Sequence, residues 1–364
     1  MSRELIHAAA AVTWLLLLGA PLAAQPAQAA SGGNGTIYYG TYDKKILVID
    51  EATMAVRDSM RVSVGIPIGL TLSTDRKTMY AIEPAFEFVE VFDIATRKAR
   101  SQISLSNDSV RVRIRGFNVE PRDRFAVLLV KTAQRKIDRW EIGKPTLLKY
   151  DLATKMVTDT IKWPDGQERE GAQILFSPDG DLMYFFTAED ILVYETATLT
   201  QVDRWDLQRS VDDGLGQWSF GFPESLYDDP GTFTGLFRST DPVNRRTLMG
   251  VARVDLVRRS VDFYSLGPSE PVGFALAPGR QRAYGLRQQV GNYQFWTFDL
   301  QSRRVGQRAE FEGRPRMGLT VSTNGSQLYI HTAGPTVDVY DAATLRLVRT
   351  VEYRADMTDF IVVP

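Results

Sequence analysis

Apolar and polar residues alternate along most of the chain in short runs separated by Gly, Pro, Asp and Asn, and the period of an amphipathic helix is nearly absent. One run and the turn behind it return seven times: VIDEATM at 48–54, VFDIATRK at 91–98, KYDLATK at 149–155, VYETATL at 193–199, RVDLVRR at 253–259, TFDLQSR at 297–303 and VYDAATL at 339–345. The anchor carboxylates Asp50, Asp93, Asp151, Glu195, Asp255, Asp299 and Asp341 are spaced by 43, 58, 44, 60, 44 and 42 residues. A second phrase precedes most anchors: LSTDRKTMYAI at 72–82, VEPRDRFAVLL at 119–129, FSPDGDLMYFF at 176–186, LAPGRQRAYGL at 276–286 and VSTNGSQLYIH at 321–331.

Each unit reads as four strands, a to d. Strand a ends at a Pro/Asp/Gly turn, where Gly180 and Gly325 can supply positive φ and Pro178 pre-sets a corner. An aromatic-rich strand b returns, and an alternating strand c follows, such as Ile191–Tyr194. The anchor Asp is expected to accept from backbone N–H groups two residues on, and strand d follows, as in Val348–Val351. Short strands with a period in the forties, twice lengthened by insertions, predict an all-β fold: a seven-bladed β-propeller of four-stranded antiparallel blades. TIYYGTY at 36–42 reads as a strand b, and MTDFIVVP at 357–364 as a strand a with no b after it. One blade should therefore combine the C-terminal strand with Thr36–Met60, which closes the ring and removes a free sheet edge.

Composition agrees with a globular chain of this size: 364 residues, 44% hydrophobic, 24% charged. The net charge of −1 gives no overall bias toward nucleic acid or an anionic membrane. Residues 1–29 stand apart. Arg3, an apolar run over about 8–20 containing WLLLL, and Ala27-Gln28-Ala29 predict a secretory signal peptide, an uncleaved anchor being the other reading. Residues 30–35 then form a flexible start, 36–364 a single propeller domain, and the protein is periplasmic or secreted. With no cysteine, the chain can form no disulfide, thiolate metal site or thioether-linked haem, and it has no cysteine nucleophile. His7 leaves with the signal peptide, so His331 alone cannot make a multi-histidine metal site.

The a–b and c–d turns look short and uniform, so variety should collect on the opposite face of the disc. It includes a third-blade b–c connection over about Lys131–Thr146, a fifth-blade one over about Tyr227–Thr247, and the approach WDLQRSVDDGLGQW at 205–218. Residues just before each strand a should ring the channel mouth: Arg113, Arg115, Arg169, Arg314, Arg316 and Arg354, among Glu170, Glu270 and Asp356, with Trp218 in the same place in blade five. Either this rim is locally positive and takes an acidic partner segment or an anionic group, or it is solvated and partly self-neutralising. His331 reads as structural. Asp212-Asp213 and Asp228-Asp229 lack EF-hand spacing and read as solvated loops rather than Ca²⁺ ligands. No carboxylate pair stands out for glycoside hydrolysis, and there is no P-loop, G-x-S-x-G or dinucleotide fingerprint.

MYAI, MYFF and LYIH stand where propellers with Tyr-Val-Thr-Asn-type repeats carry their signature. Over about 36–364 the chain resembles the β subunits of quinohemoprotein amine dehydrogenases. The telling stretches are KIDRWEIGKPTLLKYDLAT at 136–154 and STDPVNRRTLMGVARVDL at 239–256, insertions in the blades where that family carries them. The resemblance implies a non-catalytic propeller subunit of a periplasmic enzyme that oxidises primary amines. Its partners would be a small subunit bearing cysteine tryptophylquinone and a subunit carrying two c-type haems. It carries no catalytic, cofactor-binding or metal-binding residue over to this chain. Trp140, Trp218 and Phe220 are candidates for an apolar wall against the small subunit, beside the arginines of the mouth. The heavy chain of methylamine dehydrogenase is similar in fold but fits the loops less well. Other classes remain open: a free-standing exported propeller that binds a protein or cell-surface ligand through its loop-rich face, and a hydrolase or lyase with carboxylates in the channel. An exposed apolar patch containing Trp140 or Trp218 would favour the subunit reading.

Overall fold

The computed structural model describes residues 31–206, 214–221 and 225–364, so the expected signal peptide at 1–29 lies outside the described residues. Seven antiparallel sheets of strands a to d form the ring, the third with one added strand. A single 3-10 turn at Pro164–Gly166 is the helical content among the described residues, and none of their helices is long and apolar enough to cross a membrane. The ring closes as the sequence implied. Met357–Val363 supplies strand a of blade one and pairs with Thr36–Thr41, Tyr39 opposite Phe360, and Lys45–Asp50 and Ala55–Arg61 complete the sheet.

Burial follows position in the blade. Strands b and c are sandwiched between neighbouring blades on both faces, so they are apolar without alternation: Phe125 to Val130 are all buried. The outermost strands d are mostly exposed; Met156–Ile161 buries only its last residue. Apolar burial is organised in seven clusters, each bridging two successive blades. In one, Tyr184, Ile191 and Val193 of blade four meet Phe237, Ala252 and Val254 of blade five. Each fully buried side chain of this size contributes about 1.5–3 kcal/mol. Buried tyrosines on strand b staple some of these seams: the Tyr184 hydroxyl donates to the Leu256 carbonyl at 3.0 Å, and burial pushes its pKa up to about 12.

The recurring anchor phrase has a defined geometry. Asp50 accepts from the Thr53 N–H at 2.9 Å and its hydroxyl at 2.6 Å, and Asp93, Asp151 and Asp341 hold Thr96, Thr154 and Thr344 in the same way. The main reach is thus three residues, not the two expected, which accounts for the threonine in D-x-A-T. The next residue is left-handed in all seven turns: Met54, Arg97, Lys155, Leu199, Arg259, Arg303 and Leu345 have φ between 54° and 59°. That conformation costs a side-chain-bearing residue about 1–2 kcal/mol, which the paired Asp–Thr bonds offset in the turns of Asp50, Asp93, Asp151 and Asp341.

The position after the anchor is Ile94, Leu152, Thr196, Leu256, Leu300 or Ala342 in six repeats, and Glu51 in the first. Glu51 is fully buried at the seam between blades one and seven. It accepts from the N–H groups of Gly35 and Thr323, both at 2.8 Å, from the Tyr329 hydroxyl at 3.0 Å, and from the Thr323 hydroxyl. The Ser31 carbonyl accepts from Asn324 at 2.8 Å and from Ser326 at 2.7 Å. Residues 31–35, expected to be a flexible start, are instead laid across blade seven by these bonds.

Candidate functional site

The two faces of the disc differ, though not entirely as expected. The fifth-blade insertion was read as a b–c connection over Tyr227–Thr247. In the structure Thr232–Asp241 is strand b and Arg246–Asp255 strand c, joined by a tight hairpin with Asp241 opposite Arg246. The alternation in TFTGLFRST belongs to a strand, and the turn-rich stretch before it is the a–b connection. This connection is not short. It crosses the ring: the Tyr227 hydroxyl donates to the Val321 carbonyl of blade seven at 3.0 Å, and Arg76 of blade two donates to the Leu226 carbonyl at 3.0 Å. Leu226 packs with Val48, Leu70 and Val363 of blades one and two. Among the described residues, the a–b side of the ring is therefore crossed by protein.

On the opposite face blade three rises as an arm. Its strands a and b, Val110–Val119 and Phe125–Arg135, have 10 and 11 residues, against four and five in blade two. The third-blade connection expected over Lys131–Thr146 is thus mostly sheet. Strand b continues to Arg135, turns at Ile137-Asp138, and returns as Trp140–Ile142, the added strand. The alternation in VRVRIR sets the faces: Val112 and Ile114 are buried toward blade two, while Arg111 and Arg113 stand on the other face by register, the Arg111 guanidinium reaching back to Glu87 of blade two at 3.1 Å. Ladder register puts Arg113 opposite Lys131, Arg111 opposite Ala133, Arg135 opposite Trp140 and Ala133 opposite Ile142. One face of the arm thus carries Trp140, Ile142, Arg135, Lys131, Arg111 and Arg113. Trp140 is 48% exposed, Ile142 60%, and Ile137 at the tip fully so. The back face is polar and self-satisfied, with Lys136 bonded to Gln134 at 3.0 Å and paired with Glu141 at 3.2 Å.

The arginines expected at the mouth do not form one patch. Arg113 and Arg115 lie within strand a rather than before it, Arg115 at a register shift between Ile114 and Gly116. Arg314 and Arg316 are exposed on the far side of the ring before blade seven, where Arg314 pairs with Asp338 at 3.3 Å. Arg169 is a correction: it is buried, bonded to the fully buried Asp190 at 3.0 Å, with Arg204 on the same carboxylate at 2.8 Å. Trp218 is a second correction. It is 2% exposed, stacked on Phe237 at 4.6 Å and edge-on to Phe263 at 4.4 Å, and cannot face a partner. Phe220 is partly buried beside it and lines a cleft of about 350 Å³ between blades five and six, with Leu236, Met249, Val272 and Phe274.

The remaining candidates are engaged within the protein. Asp229 pairs with Arg253 at 2.9 Å and with Arg280. Asp228 accepts from the Thr234 N–H at 2.7 Å and hydroxyl at 2.9 Å, and burial raises its carboxyl above the usual range. Asp212 and Asp213 lie outside the described residues. No cluster of three His, Cys, Asp or Glu side chains placed to hold a metal occurs among the described residues. His331 stacks on Phe360 at 4.6 Å with its Nε2 3.3 Å from the Thr320 hydroxyl, and burial lowers its pKa to about 4.

No family model and no curated protein sequence matches the chain. Solved structures do match in fold. A functionally unknown protein from Desulfotomaculum acetoxidans aligns at TM-score 0.55 and 12% identity over 91% of this chain and 99% of that one. The Pseudomonas aeruginosa periplasmic gluconolactonase aligns at 0.53 and 14% over 91% and 99%, and Kuenenia stuttgartiensis hydrazine synthase at 0.50 and 11% over 86% and 90%. At these identities the likeness shows the propeller architecture alone.

Sequence reasoning selected Arg113 and Trp140 separately; the register of the arm brings them onto one face. It missed Arg111, Arg135, Ile137 and Ile142, whose signal was the strand-period stripe VRVRIR and the RWEI that returns beside it. It also missed the Leu226–Tyr227 crossing, for which no local pattern exists.

Proposed function

We propose that this chain is a non-catalytic propeller subunit of a periplasmic quinohemoprotein amine dehydrogenase, holding a quinone-bearing small subunit and a di-haem subunit. The observation that carries the reading is the arm of blade three. Its tip and returning strand, 136–142, belong to one of the two stretches that carry the family resemblance, and it leaves Trp140, Ile142 and Ile137 exposed together on a folded sheet. Large apolar side chains grouped on an ordered surface are the mark of a surface covered in use. The residue inventory agrees: without cysteine, this chain can carry neither cysteine tryptophylquinone nor thioether-linked haem, so the redox groups belong to partners. Its own contribution is mechanical, a rigid ring with one side crossed by protein and one face presenting the arm.

The test is to purify tagged protein from the periplasm of its source and record the visible spectrum of what accompanies it. A c-type haem spectrum with a small quinone-staining chain is expected. A colourless monomer with no redox partner at physiological salt would overturn the proposal.

A further inference from the structure

The arm presents cations in an unusual arrangement. Arg113 stands directly across the ladder from Lys131, and like charges in that relation destabilise a sheet. Lys131 is relieved by Glu170 at 2.9 Å and Arg111 by Glu87 at 3.1 Å. Arg113 and Arg135 are exposed and have no ionic partner among the described residues. No carboxylate shares this face by register; Glu141 on the back of the arm and Asp138 at its tip are already paired, with Lys136 at 3.2 Å and Arg139 at 3.0 Å, and exposed Asp108, just before strand a, shares the tip cleft with Arg135 but leaves Arg113 unanswered. The uncompensated charge therefore sits on the face that also exposes Trp140 and Ile142, while the whole chain is at −1.

We infer that this face of the arm docks an acidic protein segment that inserts an apolar side chain between Trp140 and Ile142 and sets its carboxylates on Arg113 and Arg135. The inference deepens the subunit reading, on which it rests for the partner's identity, but the docking chemistry stands on the arm alone. The arm needs little ordering on binding, because Val112 and Ile114 root it in the core. Guanidinium groups suit carboxylates through paired hydrogen bonds, and an indole beside them supplies the apolar anchor typical of protein interfaces.

The test measures anisotropy of a dye-labelled peptide, DEELFDEE, against the mature chain. Its comparators are the neutral NQQLFNQQ and the apolar-free DEESSDEE. Arg113→Glu and Arg135→Glu should each weaken binding by roughly tenfold, Trp140→Ser by a similar factor, and added salt should weaken the parent peptide but not the neutral one. The milder Arg113→Gln and Arg135→Gln variants, checked for unchanged melting, separate docking from misfolding. Arg258→Glu, a charge reversal in an exposed c–d turn, should leave binding unchanged. Equal binding of NQQLFNQQ, equal loss in Arg258→Glu, or tighter binding of oligo-dT or phosphatidylglycerol vesicles through the same residues would overturn the inference. A haem partner that co-purifies undisturbed by Arg113→Glu and Arg135→Glu would overturn this docking face and leave the subunit reading intact. Peptide docking with no haem partner would do the reverse.

Discussion

Replacing Glu51 with alanine should loosen the ring at its closure. The carboxylate is fully buried and accepts four hydrogen bonds, from the Gly35 and Thr323 N–H groups at 2.8 Å each, from Tyr329 at 3.0 Å and from the Thr323 hydroxyl. Hydrogen bonds to a charged group are worth about 1.5–3 kcal/mol each, and a buried donor left alone costs about 1–3 kcal/mol. Water entering the space left by the side chain can re-satisfy some donors, so the sum is not reached. A loss of about 4 kcal/mol is expected for Glu51→Ala. Glu51→Gln keeps the shape and one acceptor but turns its N–H₂ toward donors, so about half of that loss is expected. Urea unfolding followed by tryptophan fluorescence gives both values from midpoint and slope. If Glu51→Ala costs under about 1 kcal/mol, or Glu51→Gln matches the parent, the seam is not held by this carboxylate and the reasoning fails.

Three further outcomes are expected. Tyr227→Phe removes the bond to the Val321 carbonyl and should cost about 1 kcal/mol, with faster amide exchange in residues 225–231 and at the end of strand a in blade seven. Arg169→Ala leaves Asp190 buried beside Arg204 alone, a loss of about 3 kcal/mol in thermal or urea unfolding, with no change in binding of the acidic peptide to the arm. His331 is neutral in the fold, with its pKa lowered to about 4, while the unfolded chain protonates it near 6.5. The unfolded state therefore binds more protons between those values, so this group lowers stability as pH falls from about 6.5 to about 4 and adds no further slope below that. His331→Phe should flatten that part of a plot of urea midpoint against pH, and an imidazole titrating near 6.5 in the folded protein would refute the assignment.

The ring was legible because its determinants are local and repeated. Asp50, Asp93, Asp151 and Asp341 each build the same turn with a threonine three residues on, so one phrase announces one blade. The odd ends at 36 and 364 announced the closure. What escaped had determinants far apart in sequence. VRVRIR looked like charges approaching a strand, whereas the pairing of Arg113 with Lys131 makes it part of the strand. Arg169 looked like a rim residue because its partner, Asp190, belongs to a hairpin 21 residues on. Trp218 opens strand a of blade five, and only the stacking of Phe237 and Phe263 shows that it points inward. Glu51 was passed over, although it is the one acid among the residues that follow the anchors, and that departure marks the seam where the chain ends meet.

These departures from the repeat fall into two groups with different consequences. Glu51, Tyr227 and the pinned residues 31–35 act on the a–b and c–d side, where Glu51 and residues 31–35 join adjacent blades one and seven and the Leu226–Tyr227 bonds join blade five to blades two and seven across the ring. Such cross-ring bonds oppose shear between blades, which the seven separate seams would otherwise resist only pairwise. The arm departs on the opposite side and makes few bonds beyond its root, so its charged and apolar side chains remain available. A ring braced on one side lets the arm hold a fixed orientation with only root contacts to neighbouring loops, Arg111 to Glu87 at 3.1 Å and Lys131 to Glu170 at 2.9 Å. That arrangement favours affinity for a partner that is itself rigid, because little conformational entropy is lost by this chain on docking. Shortening the arm by deleting residues 134–141 should therefore abolish docking while leaving the unfolding midpoint of the ring close to that of the parent. A large loss of ring stability in that variant would mean that the arm braces the ring rather than serves a partner.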